Sequence, residues 1–373
     1  SIDENVGALQ ARRSYQFWIE ALGFKYFNTE KGNSIEALLL QLKQMAEIDG
    51  PIFWHIHTEK ALGYKPELKR KTGPEAPSFQ AVFGDWVLKR LAADPKLVVL
   101  SPAMLAGANL SAAKAAYPKR VIDVGIAEQN VVTMAAGLAA SGFKPIVHLY
   151  STFSQRAVDQ IIHDVALQNL QVTFILDRAG YVGEDGPTHH GMYDQSILAD
   201  VPNLALGAPA NGKALIEMLN WATDDAQSAV LLRYPKASFE ESSNELWRSY
   251  RPHWWQSDSK SKVLVSYGSL APMVQAVAEK AAWGHLHIPV FRPAPLGDLQ
   301  EQLKDAQEII LVDENPAAGS IHGDLCGLIT DGKIKASYRA VLAPRVFSEH
   351  ASRAEQLRES GFCEGGLLEM CLK

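Results

Sequence analysis

The sequence predicts an α/β protein made of doubly wound parallel-sheet domains. Helical and strand-like patterns alternate along the chain, and the strand-like runs are short and apolar. At 373 residues, 47% hydrophobic and 21% charged, the chain is also long enough to bury large cores in two or three domains.

From the start, "SYQFWIEALGF", "KYFN", "SIEALLLQLKQMAEI" and "PIFWHIHT" read as helix, strand, helix and strand over residues 14 to 62, too little for a domain of their own. The Pro- and Lys-rich stretch "KPELKRKTGPEAPS" at 65–78 reads as an exposed linker. From 79 to about 235, the helical pattern "FQAVFGDWVLKRLAADP" is followed by apolar strands, "KLVVLSP", "KPIVHLY", "QVTFILD" and "SAVLLRYP", which make a doubly wound domain. Residues 236–262, polar with scattered aromatics, read as a second linker. Beyond them, "KVLVSYGS", "APMVQAVAEKAAW", "PVFRPAPL", "LQEQLKDA" and "EIILVDENP" alternate strand and helix as a smaller third unit over 261–373.

A net charge of −6, without a basic stripe, argues against nucleic acid or an anionic membrane as partner and leaves small-molecule chemistry in front. Cys326, Cys363 and Cys371 have spacings that suit neither a zinc site nor a disulfide framework, which predicts a reducing cytoplasm. No apolar run is long enough to span a bilayer, and "SIDENVGAL" lacks the regions of a signal peptide. The chain starts without Met, as a processed chain or a piece of a longer one would.

In open parallel sheets, ligands sit beyond the carboxyl ends of the strands. After "FILD" comes "RAGYVGEDGPTHHG", a loop able to bring backbone close to a ligand while presenting Arg178, Asp185 and His189; a solvent loop with two surface histidines is the alternative. After "PIVHLY" comes "STFSQRAVDQIIHD", where Ser151 or Thr152 is expected to cap a helix carrying Phe153, Arg156 and Asp159. Arg233 and Lys236 end another strand, as phosphate ligands or as a solvated face. Glu128, in "DVGIAEQN" just before an apolar small-residue helix, must be paired, neutralised or used. No Walker loop, GxGxxG, HExxH or GxSxG is present.

The stretches "DVGIAEQN", "YSTFSQRAVDQIIHDVALQNLQVTFILDRAGYVGEDGPTHHG" and "RYP" resemble the pyrimidine-binding domain of the 1-deoxy-D-xylulose-5-phosphate synthases, within the thiamine-diphosphate-dependent transketolase superfamily. "SIDENVGAL", "EALGFKYF", "HIHTEKALGY" and "LVDENP" extend the likeness over most of the chain. The resemblance implies a remnant of the diphosphate-binding domain at 1–70, a pyrimidine-binding domain at 71–240 and a transketolase C-terminal domain at 241–373. It implies thiamine diphosphate and Mg²⁺ as cofactors, pyruvate and glyceraldehyde 3-phosphate as substrates, and a homodimer. Glu128 matches the glutamate that hydrogen-bonds the aminopyrimidine ring, and Phe153 the aromatic that stacks on it. His189 matches the histidine near the thiazolium carbon, with Asp185 and Arg156 as polar neighbours. Tyr150, Arg178 and Lys236 match positions that hold the acceptor's phosphate.

The sequence also departs from this family. No GDG occurs, so the metal ligands are expected on a missing segment or a companion chain. Asn33 and Asn130 replace histidines, and Lys236 replaces an arginine, keeping charge but losing the bidentate fork. Three explanations follow: a split or cleaved synthase, a two-subunit transketolase-type enzyme with another acceptor, or a non-catalytic binding or regulatory paralogue. The joint presence of Glu128, Phe153, Arg178 and His189 favours the enzymes.

Overall fold

The computed structural model describes residues 15–59, 62, 76–239, 248–256 and 259–372. Most of the linker predicted at 65–78 lies outside them. The chain divides into two compact units, Ser1–Gly73 and Pro74–Lys373.

In the first unit, β1 (Lys25–Thr29) and β2 (Ile52–Ile56) pair in parallel, with the helix Ile35–Met45 between them. Ser34 caps that helix, its Oγ accepting from the Ala37 amide at 3.3 Å. Among the described residues of this unit the only buried apolar side chains are Ile19 and Met45, whereas Phe17 is 75% and Trp18 64% exposed. Among the described residues, these two parallel strands have little apolar packing beneath them.

The second unit holds the remaining strands: β3 (Leu97–Ser101), β4 (Val121–Asp123), β5 (Lys144–Tyr150), β6 (Thr173–Asp177), β7 (Leu204–Gly207), β8 (Ala229–Tyr234), β9 (His253–Gln256), β10 (Lys262–Ser266), β11 (Gly284–His287), β12 (Val290–Arg292), β13 (Glu308–Asp313) and β14 (Ser337–Leu342). Seven form one sheet in the order β12-β7-β8-β6-β5-β3-β4 and five another, β14-β13-β10-β11-β9. All pairs are parallel except those of β12 and β9 with their neighbours. The central strands β3, β6 and β8 are buried at every position, as sheets covered on both faces require. The helix Phe79–Ala93 turns Phe79, Phe83, Val87 and Leu91 onto the first sheet, and Ser78 caps it through the Ala81 amide at 3.1 Å.

Several features differ from the sequence reading, which also gave no strand for β4, β7 or β14. The segment expected to be a linker at 236–262 contains β9, which its polar content had hidden. The strand β11, "GHLH", was not anticipated, because His285 and His287 read as polar although both are fully buried. "VFR" is a strand as expected, but it joins the seven-stranded sheet rather than the third unit's own.

Candidate active site

The carboxyl ends of β5, β6 and β8 lie side by side, with Tyr150 in register with Asp177 and Asp177 with Tyr234. Every side chain predicted for the site except Glu128 lies on one of these ends or on the segments leaving them, Phe153 and Arg156 on the helical turns that follow β5.

Glu128 opens the helix Glu128–Ala140 that follows β4. The turn before it is set by Asp123, whose Oδ1 accepts from the Ala103 and Gly125 amides, each at 2.9 Å. Glu128 is only 5% exposed, and its place in the first turn gives a carboxylate the favourable end of the helix dipole. Its ionic neighbour is Arg156, with Nη1 3.6 Å from Oε2. The Arg156 side chain is 60% exposed, so solvent screens the pair and it holds Glu128 weakly. Arg156 thus stands beside Glu128, where sequence reasoning had placed it beside His189.

Phe153 lies in the short helix Ser151–Ser154 directly after β5. Its ring stacks on Tyr150, with centroids 5.9 Å apart and 15° between planes, and meets the His189 ring edge-on at 5.5 Å. The expected side-chain cap is absent. Ser151 is already within the helix, its Oγ buried without a partner, and the Thr152 hydroxyl turns instead to the Thr188 carbonyl at 3.5 Å. Beyond Ser154 the chain passes through a 3₁₀ turn and a π-helical stretch, Ile161–Ala166. Such irregular helices collect at functional sites.

Arg178 occupies the left-handed region at φ 62°, which a non-glycine residue adopts only when its surroundings enforce it. Asp177 does so from two sides, Oδ1 accepting the Arg178 amide at 2.7 Å and Oδ2 accepting from Nη1. Nη1 also donates to the Gly107 carbonyl at 3.0 Å, and the guanidinium lies 4.2 Å from the centre of the Tyr150 ring. Nε of Arg178 is buried without a partner. Burial raises the Tyr150 phenol above its ordinary pKa although the Arg178 charge works the other way, so Tyr150 is a neutral donor at physiological pH.

Sequence reasoning missed the group beneath Arg178. Asp177 is fully buried and also accepts from Gln80 Nε2 at 2.5 Å and pairs with His148 Nε2 at 3.3 Å, while the His148 ring stacks on Phe83. A signal was present: a histidine inside the apolar strand "PIVHLY" and an aspartate closing "FILD".

Asp185 and Lys236 form an ion pair, Nζ to Oδ2 2.8 Å. Burial works to raise the Asp185 carboxyl, but the hydrogen bond and charge of Lys236 outweigh it and hold it below its ordinary value. The stabilisation from this pair is therefore present above the ordinary carboxylate pKa of about 4 and is lost as the pH falls through the lowered folded value. His189 is half-buried, and its Nδ1 engages the Thr188 hydroxyl at 2.8 Å. His190 is a structural residue. Its Nδ1 accepts the Val182 amide at 3.2 Å, its Nε2 donates to the Ser348 carbonyl at 3.1 Å, and burial lowers its pKa.

Arg233, a candidate phosphate ligand by its place at a strand end, is committed elsewhere. It forms a buried fork on Asp194, Nε to Oδ2 2.7 Å and Nη2 to Oδ1 3.1 Å, and Nη2 reaches Asn315 Oδ1 at 2.9 Å. Among the described residues no three His, Cys, Asp or Glu side chains gather as metal ligands, and no helix is long and apolar enough to cross a membrane.

Residues 75–241 match the family described as transketolase, pyrimidine binding domain. Over 92% of its length the chain is 35% identical to 1-deoxy-D-xylulose-5-phosphate synthase of Chlorobaculum tepidum, and over 93% it is 33% identical to that of Idiomarina loihiensis. In both cases it spans 59% of the relative's length. Among solved structures it is similar to a split gene transketolase described as an inactive beta4 tetramer, with TM-score 0.70 and 19% identity over 79% of this chain and 97% of that one. It is also similar to transketolase of Campylobacter jejuni, with TM-score 0.67 and 15% identity over 96% of this chain and 68% of that one. Residues 75–241 thus match a transketolase pyrimidine-binding domain, within a chain that is similar over nine-tenths of its length to part of the 1-deoxy-D-xylulose-5-phosphate synthases.

Proposed function

We propose that this chain supplies the pyrimidine half of a thiamine diphosphate site. Assembled with a polypeptide that brings the diphosphate and Mg²⁺ ligands, it decarboxylates pyruvate and passes the two-carbon unit to glyceraldehyde 3-phosphate. The observation that carries this reading is Glu128, a buried carboxylate at a helix start that among the described residues has only a screened cation beside it. The residues fit that half of the cofactor: an acid for a ring nitrogen, the flat face of Phe153, and a nearby imidazole.

The cofactor, when bound, supplies a thiazolium able to stabilise a carbanion. Glu128 holds and shares a proton at the aminopyrimidine ring, and Phe153 fixes the plane of that ring. His189 moves a proton at the reacting oxygen of the substrate through Nε2. Tyr150 and Arg178, one a neutral donor and the other preset by Asp177, bind the acceptor with Lys236. We place the assembly in the cytoplasm as a dimer or a complex with the companion polypeptide. Calorimetric titration of thiamine diphosphate with Mg²⁺ tests the reading. Binding is expected once a companion carrying the GDG motif is supplied, and no binding in that complex would leave a non-catalytic paralogue.

A second reading, transfer to a different acceptor, is supported by the Asp185–Lys236 pair, because a phosphate must compete with Asp185 for Lys236. If glyceraldehyde 3-phosphate is the acceptor, Lys236→Ala should raise its KM by about 10- to 100-fold, the worth of one charge-assisted hydrogen bond, with pyruvate binding unchanged. An unchanged KM for glyceraldehyde 3-phosphate favours the other acceptor.

A further inference from the structure

The loop leaving β6 carries Asp185 and His189, and it is closed at its base by the paired amides and carbonyls of Gly180 and Gly191 and turned at Gly186 and His189. A second hold on it comes from the C-terminal part of the chain. Gly180 has φ 74°, and a Cβ there would lie 2.2 Å from the Glu314 carboxylate. That carboxylate accepts the Tyr181 amide at 2.8 Å through Oε1 and the Arg353 guanidinium at 2.5 Å through Oε2. Gly186 likewise has φ 74°, and a Cβ there would meet the His350 ring at 2.3 Å. These two positions need glycine because C-terminal side chains lie against them.

Between them, Gln356 binds both polar groups of one residue. Its Oε1 accepts the Gly183 amide at 2.9 Å, and its Nε2 donates to the Gly183 carbonyl at 3.2 Å and to the Glu349 carbonyl at 2.8 Å. Gln356 is 2% exposed, so these bonds are made away from water and their loss is not made good by solvent. It lies on the helix Arg353–Glu359, whose start is fixed by a reciprocal cap between Ser352 and Glu355. The Tyr181 hydroxyl adds a bond to Ser360 Oγ at 2.5 Å, and His190 one to the Ser348 carbonyl.

We infer that residues 348–360 form a clamp on the loop 180–190, and that Gln356 is a positioning residue acting through Gly183 on Asp185 and His189. The catalytic meaning of the clamp rests on the proposed function; its existence does not. Both can be tested separately on the full chain.

Hydrogen exchange in Gln356→Ala should rise at least about tenfold across 180–190, with β5, β6 and β8 as protected as in the parent protein. In the same variant, the chemical shift of the His189 ring Cε1–H should change, as its surroundings do, while that of the exposed His163 stays in place. Tyr181→Phe removes one bond and keeps the ring, so it should show both effects, smaller, if the alanine variant does not fold. Unchanged exchange at 180–190 in the variant that folds, loss of protection spread evenly over the sheets, or an unmoved His189 ring signal would each overturn the clamp. None of these readouts needs turnover, so an inactive complex would sink the proposed reaction without touching the clamp.

Discussion

Replacing Glu128 with Gln is expected to lower pyruvate turnover by the assembled enzyme about 10²- to 10⁴-fold, the range for removing one positioned proton donor and acceptor. Gln keeps the volume and the capacity to hydrogen-bond but cannot exchange a proton with a ring nitrogen. The side chain is buried, and its ionic partner Arg156 is largely in solvent, so the same change should leave the fold nearly as stable as before. Activity and melting temperature measured on one preparation separate the two effects. A variant with near-normal turnover would remove Glu128 from the chemistry and with it the main support for the proposed reaction. A variant that loses activity only because it unfolds would make Glu128 a structural acid.

Asp194→Ala is expected to destabilise the fold severely, and more than Glu128→Gln, Lys236→Ala or Gln356→Ala. It strips the buried Arg233 guanidinium of its bidentate partner and leaves the Gly191 carbonyl and Asn315 as its remaining acceptors. Breaking a buried pair from one side costs about 3–5 kcal/mol, because the surviving charge stays out of water. For a unit of this size that corresponds to a drop of roughly 5–15 °C in the melting midpoint. Asp194→Asn, which keeps an acceptor, should lose less. A fall of under about 1 kcal/mol for the alanine variant would mean that water or a shifted neighbour reaches Arg233 and that the pair is not an isolated ionic contact.

The site was legible in the sequence to the extent that chemistry follows from position along the chain. Arg178, Asp185, His189 and Lys236 were singled out as candidates because strand ends in parallel sheets gather ligand-binding groups, and a strand end can be read from a run of apolar residues, whereas Tyr150 came from the family resemblance alone. What stayed hidden depended on pairing between distant segments. Arg233 and Lys236 look alike in "RYPK", yet one is locked on Asp194 and the other on Asp185, and nothing local distinguishes them. Gln356 carries no signal at all, since a glutamine in an ordinary capped helix gives no sign of a loop 173 positions upstream. β11 was missed because two histidines stand where apolar residues are expected. Burial of His285 is made possible by Ser266 and Gln275, which bond its two ring nitrogens at 2.8 and 2.9 Å.

The placement of β12 has a consequence for how this protein can be divided. The chain builds seven-stranded sheet through β8, crosses to lay down β9, β10 and β11, returns to add β12 beside β7, and crosses again for β13 and β14. The two sheets are therefore laced together by their order of strands. A nick between residues 239 and 248 would not free either half, because the downstream fragment keeps a strand in the upstream sheet. Such fragments could be made apart and recombined by complementation. An upstream fragment produced without its counterpart would instead display the bare edge of β7, an open template for pairing with other chains.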